Sequence, residues 1–222
     1  MTVPIFLSRA HFPVTTLGPG RRLGIWLQGC SIQCAGCISA DTWGSGRGKT
    51  TVLHLLDAVS IWLAQADGVT VSGGEPFDQP QALQELLEGI RAHSDVDIFV
   101  YSGYSMEVLE PRLSRFAGLI DALISDPYDR QAPQSLVLRG SDNQRLHLLT
   151  PLGQARFASL DRESIAGDKR FDVMMDDDGT LWLAGIPVRD DFERLKHLLE
   201  RDGHHIVTTE DISAHRRARI ET

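Results

Sequence analysis

Cysteine is scarce in this 222-residue chain: there are three, at positions 30, 34 and 37, and none elsewhere. An odd count confined to eight positions excludes a disulfide framework. Cationic excess is also missing. The formal charge is −8 and the sequence pI about 5.4, which disfavours non-specific binding to nucleic acid. No apolar run approaches the roughly 18 residues needed to span a bilayer. The opening stretch MTVPIFLSRAHF lacks the basic and long apolar regions of a signal peptide. Internal repeats and low-complexity tracts are absent as well. The expectation is a soluble cytoplasmic protein, bound to neither membrane nor nucleic acid, with thiols kept reduced. Apolar residues make up 42% of the chain, enough for a buried core.

Strand-like and helix-like stretches alternate through the first two thirds. RLGIWLQG (22–29) is β-rich and leads into the cysteines. TVLHLLDAVSIWLAQA (51–66) has apolar residues at helical spacing, and GVTVSGGEP (68–76) is a strand ending in a glycine turn. Pro80 suits the start of a helix carrying Leu83, Leu86, Leu87 and Ile90 on one face. DIFVYSGY (97–104), GLIDALISD (118–126) and SLVLRGS (135–141) read as further strands, and Pro111 is expected to break or kink the intervening helix. Such alternation predicts a parallel α/β architecture with its function at the carboxyl ends of the strands. The cysteine loop, SGGEP and SGY all follow strands and should share one rim.

Cys30, Cys34 and Cys37 form C-x3-C-x2-C, three thiolates on one loop. A structural zinc site takes four ligands, and so does a [4Fe–4S] cube held by protein alone. Three cysteines leave one corner open, which suits a site whose substrate must touch the metal. A zinc site completed by a histidine and ordinary core thiols remain alternatives, although the eight histidines are scattered and none stands at a conventional zinc spacing from the loop. GRGKT (46–50) is not a phosphate-binding loop, because Trp43 stands where that motif needs glycine. MMDDDGT (174–180) lacks the alternating ligands and the final glutamate of a calcium loop.

CSIQCAGC (30–37) resembles the cluster loop of the radical S-adenosylmethionine (SAM) superfamily, and SGGEP (72–76) resembles its second motif. GPGRRLGIWLQGCSIQCAGCISADTW (18–43), VYSGY (100–104) and LRGSDNQRL (138–146) narrow the resemblance to the activating proteins of anaerobic ribonucleotide reductase, within the activases of glycyl-radical enzymes. The resemblance covers residues 15 to 149. It implies a partial, open β/α barrel, a [4Fe–4S] cluster on the three cysteines, and SAM chelated at the open iron. An electron passed through the cluster would cleave SAM to a 5′-deoxyadenosyl radical, which abstracts hydrogen from a protein partner. The partners implied are a protein substrate, with a glycyl-radical enzyme as first candidate, and an electron donor such as a flavodoxin-type reductant. The residues implied around SAM are Gly36, Ile38, Gly73, Gly74, Glu75, Ser102, Gly103 and Tyr104. Gly73 and Gly74 would let backbone carbonyls approach the SAM ammonium. Many superfamily members carry an aromatic at the position of Gly36, so ring packing is expected to be missing there.

Arg139, Asn143 and Arg145, together with Asp142, are either grips for substrate or groups that cap a turn and pair with one another. Residues 1–149 are expected to be the catalytic core. The remaining residues, 150–222, should form a small α+β extension: a hairpin over 171–185 turning at Asp178-Gly179, a helix over 190–203 capped by Asp190 and Glu193, and a strand in HHIVTT. Two other functions stay open, a stand-alone radical SAM enzyme acting on a peptide or small molecule and a non-catalytic metal-binding adaptor.

Overall fold

The computed structural model describes residues 3–177, 180–189 and 191–204. The expected Asp178-Gly179 turn, the Asp190 cap, most of HHIVTT and the basic terminal residues lie outside that set. A seven-stranded sheet has the order β3-β1-β2-β4-β5-β6-β7, with β1 Pro4–Val14, β2 Arg22–Leu27, β3 Lys49–Thr51, β4 Gly68–Gly73, β5 Asp97–Tyr101, β6 Ala122–Ser125 and β7 Arg145–Leu148. Strands β2, β4, β5 and β6 are mutually parallel, whereas β1, β3 and β7 pair antiparallel at the two edges. The protein is therefore a mixed α/β fold around a largely parallel sheet.

Alternation along the strands divides their side chains between two faces. Leu23, Ile25, Val69, Val71, Ile98, Val100 and Leu123 form one core cluster with α1 (Val52–Leu63), α2 (Pro80–His93) and α3 (Met106–Leu113). The Thr51 hydroxyl caps α1 by accepting from His54 N, and Pro80 opens α2. Helix α3 continues two residues past Pro111 before giving way to a short 3-10 turn, so the proline sits within its last turn.

The opposite face is covered by the chain after residue 150. Helix α4, Pro151–Phe157, is capped by the Thr150 hydroxyl and places fully buried Phe157 against Phe99, Ala122 and Ile124. The hairpin of β8 (Phe171–Met175) and β9 (Leu181–Gly185) lies over the β1–β2 side. Trp182 packs edge-on against Trp26 at 5.6 Å and His11 at 4.8 Å. Asp172 accepts from Thr15 N and both threonine hydroxyls at 15 and 16, and Arg9 forks onto Asp176. Helix α5, Asp191–Arg201, follows. No helix among the described residues is long and apolar enough to cross a membrane.

Two sequence expectations are corrected. SLVLRGS is a loop rather than a strand: Leu138 has φ +62°, and only Leu136 makes an isolated bridge, to Glu163. The strand comes later, at β7, and runs antiparallel. The N-terminal stretch, not read as regular structure, is the longest strand of the sheet.

At the amino ends of the strands, Arg22 and Asp97 are fully buried and 2.5 Å apart. Arg22 also donates to Thr70 Oγ1 and to the carbonyls of Pro19 and Val69, and Arg156 of α4 donates to the other Asp97 oxygen. A buried pair this well supplied with partners offsets its desolvation cost.

Candidate iron–sulfur site

All the rim segments expected from sequence meet at the carboxyl ends of β2, β4 and β5. The chain leaves β2 through Gly29 (φ +104°), whose N–H donates to Thr42 O, while Cys30 N donates to Trp43 O. Gln28 Nε2 ties the loop's far end through Gly44 O at 2.6 Å. The three thiols are half-buried. Each is pushed up from its ordinary pKa chiefly by burial, and Cys37 further by the neighbouring Cys34 and Cys30. Main-chain donors oppose that rise: Ile32 and Gln33 at Cys30, Tyr128 at Cys34, Ser39 at Cys37. The Trp43 side chain also lies at Cys37 and lowers its pKa, and its buried indole nitrogen has no other acceptor.

Among the described residues no group of three or more His, Cys, Asp or Glu stands close enough together to hold a metal ion, so the thiols are near one another without being closed into a ligand set. The residues nevertheless fit a cluster. Their thiols share one loop ringed by N–H donors suited to thiolate sulfur, with a buried indole N–H beside the last of them.

The glycine turn is held directly against this loop. Gly74 N donates to Leu27 O at 2.8 Å and Glu75 N to Gly29 O at 2.9 Å. A Cβ on Gly74 would lie 2.0 Å from Gly29 O, and one on Gly73 (φ +102°) 2.5 Å from Leu27 N and O. Contact with protein backbone alone therefore requires both glycines. Glu75 joins the turn to SGY: its carboxylate accepts from Ser102 Oγ (2.9 Å), Gly103 N (2.8 Å) and Phe77 N (3.0 Å). Burial raises its pKa to about 7 against the pull of those donors. Ile32 of the cysteine loop packs on Gly103, its Cδ1 2.8 Å from where a Cβ would stand.

Asp78, unremarked in the sequence, is the second anchor. It accepts from Ser31 N and Oγ and from the Tyr104 hydroxyl at 2.7 Å. The signal for it was its place three residues after Glu75, one helical turn into EPFDQP. A cleft of about 440 Å³ runs beside Cys30, Trp43, Asp78 and Gln79. Ile38 is half exposed at the rim. Gly36 has φ +77° and no ring of its own, and the Tyr128 ring stands nearby, its Cε1 3.7 Å from the ideal Cβ position. That ring comes from the loop after β6, which no local pattern around position 36 could reveal.

The polar cluster lies on the same loop but is occupied within the chain. Arg139 is buried and paired with Asp161, Asn143 donates to Pro127 O, and Arg145 forks onto Glu107 and Asp126. Glu107 is thereby held down at about 2. Asp142 accepts from Ser135 N and Oγ and from Leu136 N.

The profile of the 4Fe-4S single cluster domain family matches residues 16–147, which contain all of these rim segments. Anaerobic ribonucleoside-triphosphate reductase-activating proteins are similar as well. That of Escherichia coli (strain K12) is 31% identical over 150 residues, 63% of this chain and 96% of the relative. That of Enterobacteria phage T4 is 30% identical over 135 residues, 58% of this chain and 85% of the relative. The chain belongs to this family. The profile ends within β7, so the hairpin and α5 lie beyond it, and the Escherichia coli relative is covered nearly whole. The matched part holds every cysteine, the glycine turn and SGY.

Proposed function

We propose that this protein is a radical SAM activase that abstracts hydrogen from a protein substrate, with a glycyl-radical enzyme as the partner. The observation carrying this reading is the direct stitching of three motifs. Gly74 and Glu75 are hydrogen-bonded to the strand end and loop that present the cysteines, and the Glu75 carboxylate takes Ser102 and Gly103 as donors. Cys30, Cys34 and Cys37 would hold a [4Fe–4S] cluster. When bound, cluster and SAM together supply a 5′-deoxyadenosyl radical for hydrogen abstraction, with the electron coming from a flavodoxin-type donor.

The chain's own residues supply order and charge. Main-chain N–H groups and the Trp43 indole are available to thiolate sulfur. Gly36, Ile38, Gly73, Gly74, Glu75, Ser102, Gly103 and Tyr104 would line the SAM site, where Glu75 would supply a carboxylate to an ammonium. We read the sheet as the wall of an open barrel whose carboxyl rim receives the partner. Arg139, Asn143 and Arg145 support that rim by shaping the loop after β6.

The test is anaerobic reconstitution. Four irons per chain are expected, with slow SAM cleavage to 5′-deoxyadenosine under a strong reductant, and Cys34→Ala should lose both. Stoichiometric zinc without iron, or a loaded cluster that never cleaves SAM, would overturn the reading.

A further inference from the structure

Residues 186–189, which leave β9, lie across the loop that follows β6. Pro187 is buried, and its carbonyl accepts from Gln134 Nε2 at 2.9 Å. Arg189 N donates back to Gln134 Oε1 at 3.3 Å. The Arg189 guanidinium donates to the carbonyls of Asp129 and Ala132, so it brackets the two residues between them, Arg130 and Gln131. Both bonds leave Nη2, so a single guanidinium nitrogen spans the two carbonyls.

The bracketed stretch is also the wall of the cysteine loop. The main chain of Tyr128 lies beside the Cys34 thiol and lowers its pKa. The Arg130 side chain reaches within 3.1 Å of the position a Cβ on Gly36 would take, and the Tyr128 ring within 3.7 Å. Residues 127–133 have no helix or strand to fix them. Their placement against the sulfur loop depends on ties from outside: Ser141 Oγ, Asn143 and the Arg189 clamp.

We propose that Arg189 is a positioning residue for the iron–sulfur loop, through which the C-terminal segment holds the Tyr128–Arg130 stretch against Gly36 and its flanking cysteines. The proposal rests on the reading that the three cysteines hold a cluster. Donors to ligand sulfur tune both the retention of a cluster and its potential. Arg189 lies beyond residues 16–147, the part matched by the family profile, so this control is an addition of the present chain.

The experiment uses the full-length chain with Arg189→Ala, Arg189→Lys and Gln134→Ala. In iron-free protein, amide exchange over residues 127–131 should quicken about tenfold in Arg189→Ala, the cost of one lost charge-assisted contact. The urea midpoint should fall by no more than about 0.7 M, the same lost contact read globally. After anaerobic reconstitution, iron loss to a chelator should be about tenfold faster. The cluster potential should move to more negative values, because a Tyr128–Arg130 stretch standing off the loop leaves the sulfurs more open to water and farther from main-chain N–H groups. Arg189→Lys should restore part of each change, and Gln134→Ala should act in the same direction as Arg189→Ala. Wild-type exchange at 127–131 in both Arg189→Ala and Gln134→Ala would overturn the clamp. Faster exchange with an unmoved potential would overturn its coupling to the cluster. A wild-type chain that takes up no iron overturns the cluster reading and this coupling with it. The exchange measurement, made without iron, tells that result apart from a failure of the clamp.

Discussion

Replacing Phe157 by alanine tests whether the chain after β7 belongs to the folding core. The ring is fully buried on the sheet face opposite α1 and α2, 4.9 Å from the Phe99 ring and 5.4 Å from the Arg22 guanidinium carbon. Withdrawing a phenyl group from an apolar site forfeits about 2.5 kcal/mol of transfer energy. The space cannot close easily, because a pleated sheet forms its floor and a buried ion pair one wall. A residual void of about 80 Å³ at about 24 cal/mol per Å³ adds about 2 kcal/mol, for a total of about 4.5 kcal/mol. With a urea slope of about 2 kcal/mol/M, the midpoint should fall by about 2 M. The four tryptophans report unfolding by fluorescence in the iron-free chain. Val173→Ala, at a side chain on the hairpin that is 54% exposed, is the control and should cost less than about 0.5 kcal/mol. A shift under about 0.5 M for Phe157→Ala would refute the reasoning and make the segment a separable appendage.

Gly74→Val should lose iron uptake and SAM binding together, because the added Cβ meets the Gly29 carbonyl of the cysteine loop at 2.0 Å. Normal iron content with SAM binding alone abolished would show that the Gly29 carbonyl yields to the new side chain and that the close approach does not hold the cysteine loop. Glu75 gives a pH signature. Its pKa is raised from 4.5 to about 7, so its contribution to stability is full below about 4.5 and is lost as pH rises through about 7. Between pH 6 and 8 the iron-free wild type should lose about 1.4 kcal/mol that Glu75→Gln does not, read as the difference in their urea midpoints. Equal slopes for the two proteins would remove the raised pKa.

Strong periodicity made the parallel centre legible. Helices α1 and α2 and strands β2, β4, β5 and β6 stand where the apolar pattern put them, because each buries a whole face and leaves a clear imprint. The edges were harder to read. Strand β1 alternates only weakly, since its outer residues meet the hairpin from beyond position 170, and RLHL in β7 has one half-buried face and no Val or Ile. SLVLRGS looked like a strand because Leu136 and Leu138 are apolar, yet they pack beneath a loop whose shape comes from Asp142 and Gln144. At the site, Cys30, Cys34 and Cys37 stood out by their spacing and Glu75 by the resemblance of its motif, because each belongs to a short local pattern. Tyr128 and Arg189 did not, because their positions depend on contacts between segments about 60 to 90 residues apart.

The Arg22 network ties the history of several positions together. Gly18 and Gly68 leave room for its guanidinium: a Cβ at 18 would lie 2.9 Å from Arg22 Cδ and one at 68 only 2.2 Å from Nη1. Loss of Arg22 alone strands Asp97 with a charge only half matched by Arg156, while any side chain at 68 expels the guanidinium. Positions 18, 22, 68, 97 and 156 therefore form one unit of inheritance, in which single replacements are costly in either direction. Among descendants of this chain they should change in concert or stay fixed, while the rim loops above them diverge one residue at a time.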